Sequence, residues 1–576
     1  MIVNKDNTKE AYFNDGKVFT GKKMLLSQNT TFFDIASPSR PFINILRNAA
    51  VSVTSGTPSW ESDGYFDATN ATVRLLHNDR EMKIKTGVYV LKWQGTANVV
   101  IHPIKAYDYV ENNPAGKIIR LNVTGRDSLG AYIAVSGGTL TDIYMCPEEW
   151  ETGLLAGTQL SPDYIADMSG FSTIRFMDWM DTNASPVMEY SDYKVNSFMT
   201  VGGHPNSTTR GVPLEIIAEC CNTTQSNCWI TIPHKLVDTG IISLVTKLKQ
   251  LLDSNLLIYV ELTNEAWNFG AGFSDQTNWL RFGGVAANLV SMDPTTNVVT
   301  HASHGMTTGD DIVVFNTPTH RNTGLSAGRE CNSIVIDVDT FTVASNYDDA
   351  IAEIQLPIVS KDILLYKKTT GAEDNLHKFY AERAVEVWDL CEAVLGNQLV
   401  KVGASHSNNP STTAGRCAVI RYKRDAHFHA IAPYYNFFLD ENWLESSYES
   451  LLETIKTDWY QQYFLDNIDV HLAATGRHNL ICYEGGNHNS IPPNQVTTAK
   501  TEKLVGFFRS DYERQARNWY VKMLANHGIV EYANYSSHAA PTATGQYGAM
   551  EHIRHTNSPA YMGFSEFLDE GVPKSG

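Results

Sequence analysis

The stretch Leu257-Ile258-Tyr259-Val260-Glu261-Leu262-Thr263-Asn264-Glu265-Ala266-Trp267 begins as an apolar run and ends in an Asn-Glu pair followed by an aromatic residue. A second apolar run, Leu480-Ile481-Cys482-Tyr483, is followed at once by Glu484 and two glycines. Short apolar runs bounded by turn residues are typical of buried strands. Each run therefore predicts a strand with a glutamate at its carboxyl end.

Two opposed carboxyl groups are the machinery of double-displacement glycoside hydrolysis. One carboxylic acid protonates the leaving oxygen, and a carboxylate on the other side attacks the anomeric carbon. The two strand ends therefore predict a retaining glycosidase, provided that the fold brings Glu265 and Glu484 together.

The remaining pattern indicates an α/β protein in which strands and helices alternate. Leu376–Leu395 and Ser510–Ala525 have apolar residues three to four positions apart, as in amphipathic helices. Eight strand–helix units predict a (β/α)8 TIM barrel. We predict its strands at Pro41–Ile45, Thr173–Trp179, Leu214–Ala218, Leu256–Leu262, Gln398–Gly403, His429–Tyr434, Leu480–Tyr483 and Ile529–Ala533.

Two stretches rich in β-branched residues and turn signals interrupt this alternation, and we predict that they are two inserted small β-domains. Without the second of them, the interval between Glu265 and Glu484 fits three βα units, which assigns the glutamates to strands 4 and 7. The chain then divides into five segments. They are an N-terminal segment with the first strand (1–54), an inserted β-domain (55–150), strands 2–4 (151–291), a second β-module (292–365), and strands 5–8 with a C-terminal tail (366–576).

The bulk composition excludes several classes of protein. The 576 residues contain 45 Lys and Arg against 63 Asp and Glu, a formal charge of −18 that argues against a general nucleic-acid binder. No apolar run approaches the roughly 18 residues of a membrane span, and no phosphate-binding glycine loop or GxSxG elbow is present. We therefore expect no cofactor, no nucleic acid and no membrane partner.

The strand-end motifs resemble those of the clan of retaining (β/α)8-barrel glycoside hydrolases that includes cellulases and β-mannanases. The resemblance implies that Glu265 is the acid/base, that Glu484 is the nucleophile and that Asn264 hydrogen-bonds the sugar 2-hydroxyl. Arg175 resembles the clan's arginine that keeps the nucleophile ionised, since a nearby cation lowers a carboxyl pKa by about 1–3 units. The alternative for Arg175 is a structural salt bridge, and Glu261 is expected to pair with a barrel Lys or Arg.

Several further side chains are candidates for sugar contacts at the predicted strand ends. They are aromatic or polar residues that either line the cleft or pack in the core: Trp179, His234, Trp267, Tyr434 and Tyr435. After strand 8 the clan places a tryptophan beneath the central sugar, but Tyr535–Pro541 contains none, which leaves the central subsite undefined. No third ligand stands at a suitable spacing from His427 and His429, so we expect no metal site.

The second β-module resembles small modules of phage tail proteins. The matching residues are Asn297–Thr300, His304-Gly305, Thr308–Asp310, Val313–Phe315 and Asp339–Ser345. The resemblance implies a virus- or prophage-encoded enzyme for a cell-surface or extracellular glycan. From this resemblance we expect an extracellular or virion-associated location. It would also explain why the first residues, Met1–Asp6, lack the apolar core of a signal peptide. A cytoplasmic location stays open.

The hypothesis from the sequence is a retaining glycoside hydrolase that cleaves a β-linked polysaccharide internally, with a polysaccharide or oligosaccharide as its partner. The alternative is a catalytically inactive glycan-binding or phage tail-associated adhesin protein. A metal-dependent hydrolase or esterase is a third reading with less support. The sequence does not determine the sugar, the linkage or the oligomeric state.

Overall fold

The structure, a computed structural model, is a mixed α/β protein. It describes residues 2–3, 9–10, 24–31, 38–77, 85–103, 107–124, 131–205, 207, 209–270, 272–282, 288–315, 329–358, 362–367, 376–440, 442–476 and 480–570. Residues 571–576 of the predicted C-terminal tail lie outside this set. None of the helices in the described ranges is both long and apolar enough to span a membrane.

Eight parallel strands form a closed barrel in which each strand pairs with the next along the chain and the last pairs with the first. This confirms the predicted parallel barrel. The strands are β1 (Leu25–Asn29), β2 (Thr173–Arg175), β3 (Asn227–Ile232), β4 (Ile258–Leu262), β5 (Leu399–Ala404), β6 (Phe428–Ile431), β7 (Leu480–Cys482) and β8 (Ile529–Asn534).

Helices cover much of the outside of the barrel, where their apolar faces meet the outward side chains of the strands in two large buried clusters. They span Glu151–Leu155, Pro162–Met168, Leu214–Thr224, Asp238–Leu251, Ser274–Arg281, Leu376–Leu395, Ser411–Cys417, Ile420–Asp425, Tyr448–Thr454, Ile455–Leu465 (a π-helix), Asp466–Thr475, Thr498–Phe508, Asp511–Asn526 and Pro559–Glu570.

The barrel interior follows from the two-residue period of a strand. Ile230 and Val260 belong to the outer cluster, whereas Trp229 and Tyr259 pack inside the barrel. Because residues two apart share a face, Glu261 lies on the same inner side as Tyr259. The interior therefore contains packed aromatic and aliphatic side chains, and Glu261 adds a charged group near the carboxyl ends of the strands.

The prediction of the first strand at Pro41–Ile45 is wrong. Phe42 forms only an isolated bridge, and a 3-10 turn follows at Ile45–Asn48, capped by the Asn44 side chain, which accepts a hydrogen bond from Leu46 N. The true first strand is β1, Leu25–Asn29. Its inner positions are polar, so an apolar pattern could not reveal it.

The prediction of the third strand at Leu214–Ala218 is also wrong. The segment opens the helix Leu214–Thr224, directly after Pro213, and buries Leu214, Ile217 and Cys221 at helical spacing. A short apolar run fits a buried helix as well as a strand. The strand is β3, which begins two residues after the left-handed Gln225 that ends this helix.

Antiparallel sheets occupy the two stretches that interrupt the barrel sequence. Between β1 and β2, a four-stranded and a six-stranded sheet are built from Ala50–Gly56, Ser59–Trp60, Phe66–Asp67, Ala71–His77, Gly87–Gly95, Asn98–Pro103, Tyr107–Asn113, Ile118–Val123, Ala131–Ser136 and Thr139–Pro147. Between β4 and β5, six strands form a small closed barrel, with one short helix, from Asn288–Met292, Val299–Thr300, Asp311–Phe315, Arg329–Val335, Thr340–Ala344, Tyr347–Ile351 (the helix) and Asp362–Lys367. The domain boundaries themselves stay predictions.

Candidate active site

The polypeptide bends sharply where β4 ends. Thr263 and Glu265, on either side of Asn264, have φ values of 50° and 44°, in the left-handed region that favours glycine. Such non-glycine conformations cost about 1–3 kcal/mol each and concentrate at functional sites. The bend therefore fixes the direction in which Asn264 and Glu265 leave the end of β4.

Arg175, at the end of β2, is the centre of the site and is fully buried. Its Nε donates to Glu261 Oε2 (2.9 Å), and its Nη2 donates to Glu261 Oε1 (3.1 Å) and Asn264 Oδ1 (3.0 Å). Its Nη1 donates to Asn29 Oδ1 (3.0 Å) and Glu484 Oε1 (2.9 Å). A guanidinium has five N–H donors, and all five are used here. The predicted pairing of Glu261 with a barrel cation is confirmed.

Glu484 follows β7 and accepts two hydrogen bonds from the protein. Arg175 Nη1 donates to one carboxyl oxygen, and Tyr434 Oη donates to the other at 2.9 Å. Only 4% of the residue is exposed. Burial raises the pKa of Glu484 to about 8, and Arg175 and Tyr434 oppose this effect. The expected arginine contact is thus present, while desolvation outweighs it in the free protein.

Glu265 is half-buried beside Glu484. Its carboxylate accepts a hydrogen bond from Asn268 Nδ2 at 2.9 Å and another from the Tyr483 hydroxyl. Burial raises the pKa of Glu265, and the charge of Glu261 adds to this effect. The charge of Glu265 in turn raises the pKa of Glu484, so the two carboxyl groups are electrostatically coupled.

Asn264 is held in place at both ends of its side chain. Its Oδ1 accepts from Arg175, and its Nδ2 donates to Asn183 Oδ1 at 3.1 Å. Gln276 donates to both Asn183 Oδ1 (3.2 Å) and the Asn264 backbone carbonyl (3.0 Å). A side chain oriented in this way can present its second amide hydrogen to a ligand without reorganising.

Aromatic rings surround Tyr434, which donates to Glu484. The ring of Tyr547 lies 6.4 Å from that of Tyr434, 5.8 Å from Tyr535 and 5.7 Å from His488, between ring centroids. Burial and the charges of both site glutamates raise the pKa of Tyr547 to about 12. Tyr535 and Tyr547 are both half-buried and follow β8, the strand after which the clan named above has a tryptophan and Tyr535–Pro541 has none.

Trp267 follows Glu265 by two residues and is half-buried. Its ring centroid is 6.0 Å from that of Tyr483, and the guanidinium of Arg416 lies 5.0 Å from it. Arg416 also donates to the Ala266 carbonyl at 3.3 Å, so it supports the segment that carries Glu265 from behind.

Three predicted substrate-binding residues lie away from the site. Trp179 is fully buried, stacks near Phe42 and Tyr164, and donates to the Thr31 carbonyl, so it is a core residue. His234 follows β3 as expected, but its side chain is buried with Nε2 3.4 Å from Asp275 Oδ2. Tyr435 is fully buried and donates to Glu513 Oε1 at 2.8 Å. In each case the structural alternative applies.

Sequence reasoning missed Asn29, Tyr483 and Tyr547. Asn29 was lost with the misplaced first strand, although it bonds Arg175 directly. Tyr483 could have been found, because it shares the inner face of β7 with Ile481 and directly precedes Glu484. Tyr547 lies in the segment after β8, which has no periodic pattern, and only the fold brings it to the site.

No group of three or more His, Cys, Asp or Glu side chains could hold a metal ion anywhere in the described part of the chain. His429 instead joins a buried network on the outside of the barrel, with Nε2 2.7 Å from Ser405 Oγ. Thr413 connects this network to His471, with its hydroxyl 2.7 Å from His471 Nδ1.

Comparison with known proteins adds little to this geometry. No protein-family model and no curated protein matches the chain. Among solved structures, it is similar to a GH51 arabinofuranosidase from Xanthomonas axonopodis pv. citri, with 9% identity and a TM-score of 0.29. The alignment covers 66% of this chain and 60% of that enzyme. A likeness at this level carries no argument about fold or activity.

Proposed function

We propose that the protein is a retaining glycoside hydrolase that cleaves a β-linked polysaccharide by double displacement. The observation that carries the proposal is the environment of Glu484. A buried glutamate after β7 accepts hydrogen bonds from a guanidinium and a tyrosine hydroxyl, and a second glutamate after β4 is electrostatically coupled to it. Two carboxyl groups with different surroundings are what separates a nucleophile from a general acid.

In the first step, a Glu484 oxygen attacks the anomeric carbon while the bond from that carbon to the leaving oxygen breaks. Glu265 donates its proton to the leaving oxygen, and its raised pKa supports this role because it keeps the proton bound. The product of this step is a glycosyl ester of Glu484.

In the second step, Glu265, now a carboxylate, takes a proton from water as the water oxygen attacks the anomeric carbon. The ester bond to Glu484 breaks, and the carboxylate returns to its hydrogen bonds with Arg175 and Tyr434. Two inversions at one carbon leave its configuration unchanged. Asn264, oriented by Arg175 and Asn183, is the proposed donor to the 2-hydroxyl.

The substrate belongs to the proposal as well. The half-buried rings of Trp267, Tyr535 and Tyr547 lie among the site residues and offer apolar faces on which sugar rings can stack, which supports a polysaccharide substrate; cleavage within the chain is part of the proposal. An extracellular or virion-associated setting completes the proposal.

The test is release of reducing sugar from a panel of β-linked glycans, with Glu484→Gln as the inactive variant. Glu382→Gln is the matched control, because that glutamate lies on the surface in an exposed helix pair with Lys378. We expect release by the wild type and the control and none by Glu484→Gln, with the β-anomer appearing first in proton NMR. An α-anomer first would contradict retention, and glycan binding without release would favour a binding protein.

A further inference from the structure

We propose that Glu261 is a positioning residue that competes with Glu484 for the guanidinium of Arg175 and so sets the pH range in which the site works. The inference rests on the proposed glycosidase function. Glu261 lies inside β4, four residues before Glu265, and is itself fully buried.

The division of donors around Arg175 is unequal. Glu261 receives Nε and one hydrogen of Nη2, a bidentate contact at 2.9 and 3.1 Å. Glu484 receives a single hydrogen of Nη1 at 2.9 Å. Trp229 Nε1 also donates to Glu261 Oε2 at 2.9 Å, so Glu261 is held rigidly in this orientation. The carboxylate with the tighter hold on the cation is therefore the one outside the proposed chemistry.

The charges around the two carboxylates do not compensate for this sharing. The cation that faces Glu484 is Arg175, which comes from β2. The other titratable groups that interact with Glu484 follow β4, β6, β7 and β8, and they are Glu265, Tyr434, Tyr483, Tyr535 and Tyr547. Glu261 faces Arg175 and Trp229, and the remaining groups that interact with it are Arg416, Tyr380, Tyr422, Tyr483 and Glu265. Arg416 thus acts on Glu261, whereas Glu484 depends on Arg175.

Neutralising Glu261 has a defined consequence. Glu261 no longer draws on the charge of Arg175, which then acts more strongly on Glu484 even though Asp178 and Glu265 also interact with it, and Glu265 loses a neighbour whose charge raises its pKa. The pKa values of both site carboxyls then fall. Because activity requires Glu484 ionised and Glu265 protonated, both limbs of the profile of kcat/KM against pH move to lower pH. We expect a shift of about one pH unit, the lower end of the effect of a close charge.

The experiment compares Glu261→Gln with two controls. Glu261→Asp keeps the charge with a shorter side chain, so its limbs should stay at the wild-type pH while the rate falls. Glu531→Gln removes another buried barrel glutamate, which is bonded by Ser27 and Tyr259 and not by Arg175, so it should lower the melting temperature without moving either limb. If Glu261→Gln does not fold, Trp229→Phe, which removes a donor from Glu261 and so favours its protonated form, should move both limbs in the same direction by less.

A second readout is independent of turnover. In protein carrying 13C at the glutamate carboxyls, the resonance absent from Glu484→Gln reports the titration of Glu484, and in Glu261→Gln it should titrate about one pH unit lower. An unmoved titration in a folded variant overturns the inference even if the protein cleaves glycans. A shifted titration in a protein that cleaves no glycan supports the inference and counts against the proposed function alone.

Discussion

Two buried arginines, Arg175 and Arg517, lie on opposite sides of the same barrel wall and differ in what they neutralise. Arg175 faces the site and is shared between two carboxylates, Glu261 and Glu484. Arg517 lies behind the wall, one helical turn from Glu513, to which its Nη2 donates at 3.0 Å. Both guanidiniums are fully buried, yet only the cluster of Arg517 has one carboxylate for its one cation.

The second cluster ties together the loops that carry the site. Glu513 accepts from Tyr435 (2.8 Å) after β6 and from Asn487 (2.9 Å) after β7, while Arg517 donates to Asn534 Oδ1 (2.8 Å) at the end of β8. The comparison indicates a division of labour. The balanced pair holds the loops, whereas in the cluster of Arg175 two carboxyl groups share one cation beside the proposed nucleophile and acid.

The largest effect is expected from Glu513→Gln. Removing one partner of a buried ion pair leaves an uncompensated charge, which costs about 3–5 kcal/mol of unfolding free energy. We expect this loss in a urea titration, while kcat/KM of the folded fraction stays within about tenfold of the wild type. If the rate falls and stability does not, the cluster of Arg517 belongs to the chemistry and the comparison fails.

The neighbouring tyrosines offer a matched pair, since Tyr434 donates to Glu484 and Tyr435 donates to Glu513. A hydrogen bond to a charged group contributes about 1.5–3 kcal/mol. In Tyr434→Phe this loss should lower kcat/KM by at least about tenfold and move its acidic limb to higher pH, because the pKa of Glu484 rises without the donor. In Tyr435→Phe a loss of similar size should be seen in stability. If Tyr434→Phe lowered the stability and Tyr435→Phe lowered kcat/KM instead, the assignment of the two tyrosines would be reversed.

Counted per pH unit, the smallest effect is the slope of the unfolding free energy against pH. The folded-state pKa of Glu484 is raised from 4.5 to about 8, so the folded protein binds this proton more tightly than the unfolded chain. The resulting stability is present below about pH 4.5 and is lost as pH rises towards 8. In Glu484→Gln that loss is absent, and its unfolding free energy should fall less steeply with pH, by up to about 1.4 kcal/mol per unit. The unfolding free energies of variant and wild type can be measured by urea titration at several pH values between 5 and 8. If the two fall equally with pH, burial does not raise the pKa of Glu484.

The parts of the fold that the sequence predicted are those where local pattern and tertiary role agree. β4 and β7 are apolar runs that end at charged residues, and both were found. β1 was missed because Ser27, Gln28 and Asn29 face Glu531, Asn534 and Arg175, which is a tertiary reason for polar residues in a strand.

The site shows the same limit. Glu265, Glu484, Asn264, Arg175 and Tyr434 follow strand ends, and the structure brings them together through direct hydrogen bonds or electrostatic coupling. Trp179 and His234 also follow strand ends but turn into the core, because the residue after a strand can face either side. Adjacent residues such as Tyr434 and Tyr435 point in opposite directions for this reason, and only the fold shows which one contacts Glu484.

The pairing of β1 with β8 has a consequence for how the protein is made. Gln28 and Asn534 are hydrogen-bonded across 506 positions of chain, so at a synthesis rate of about 5–20 residues per second β1 leaves the ribosome roughly 25–100 s before its partner. The antiparallel sheets of residues 50–147 are complete long before that. During this interval β1 is an unpaired edge, a state prone to aggregation when it is apolar. The polar residues that hide β1 from a hydrophobic pattern thus also make it a less apolar edge during this interval.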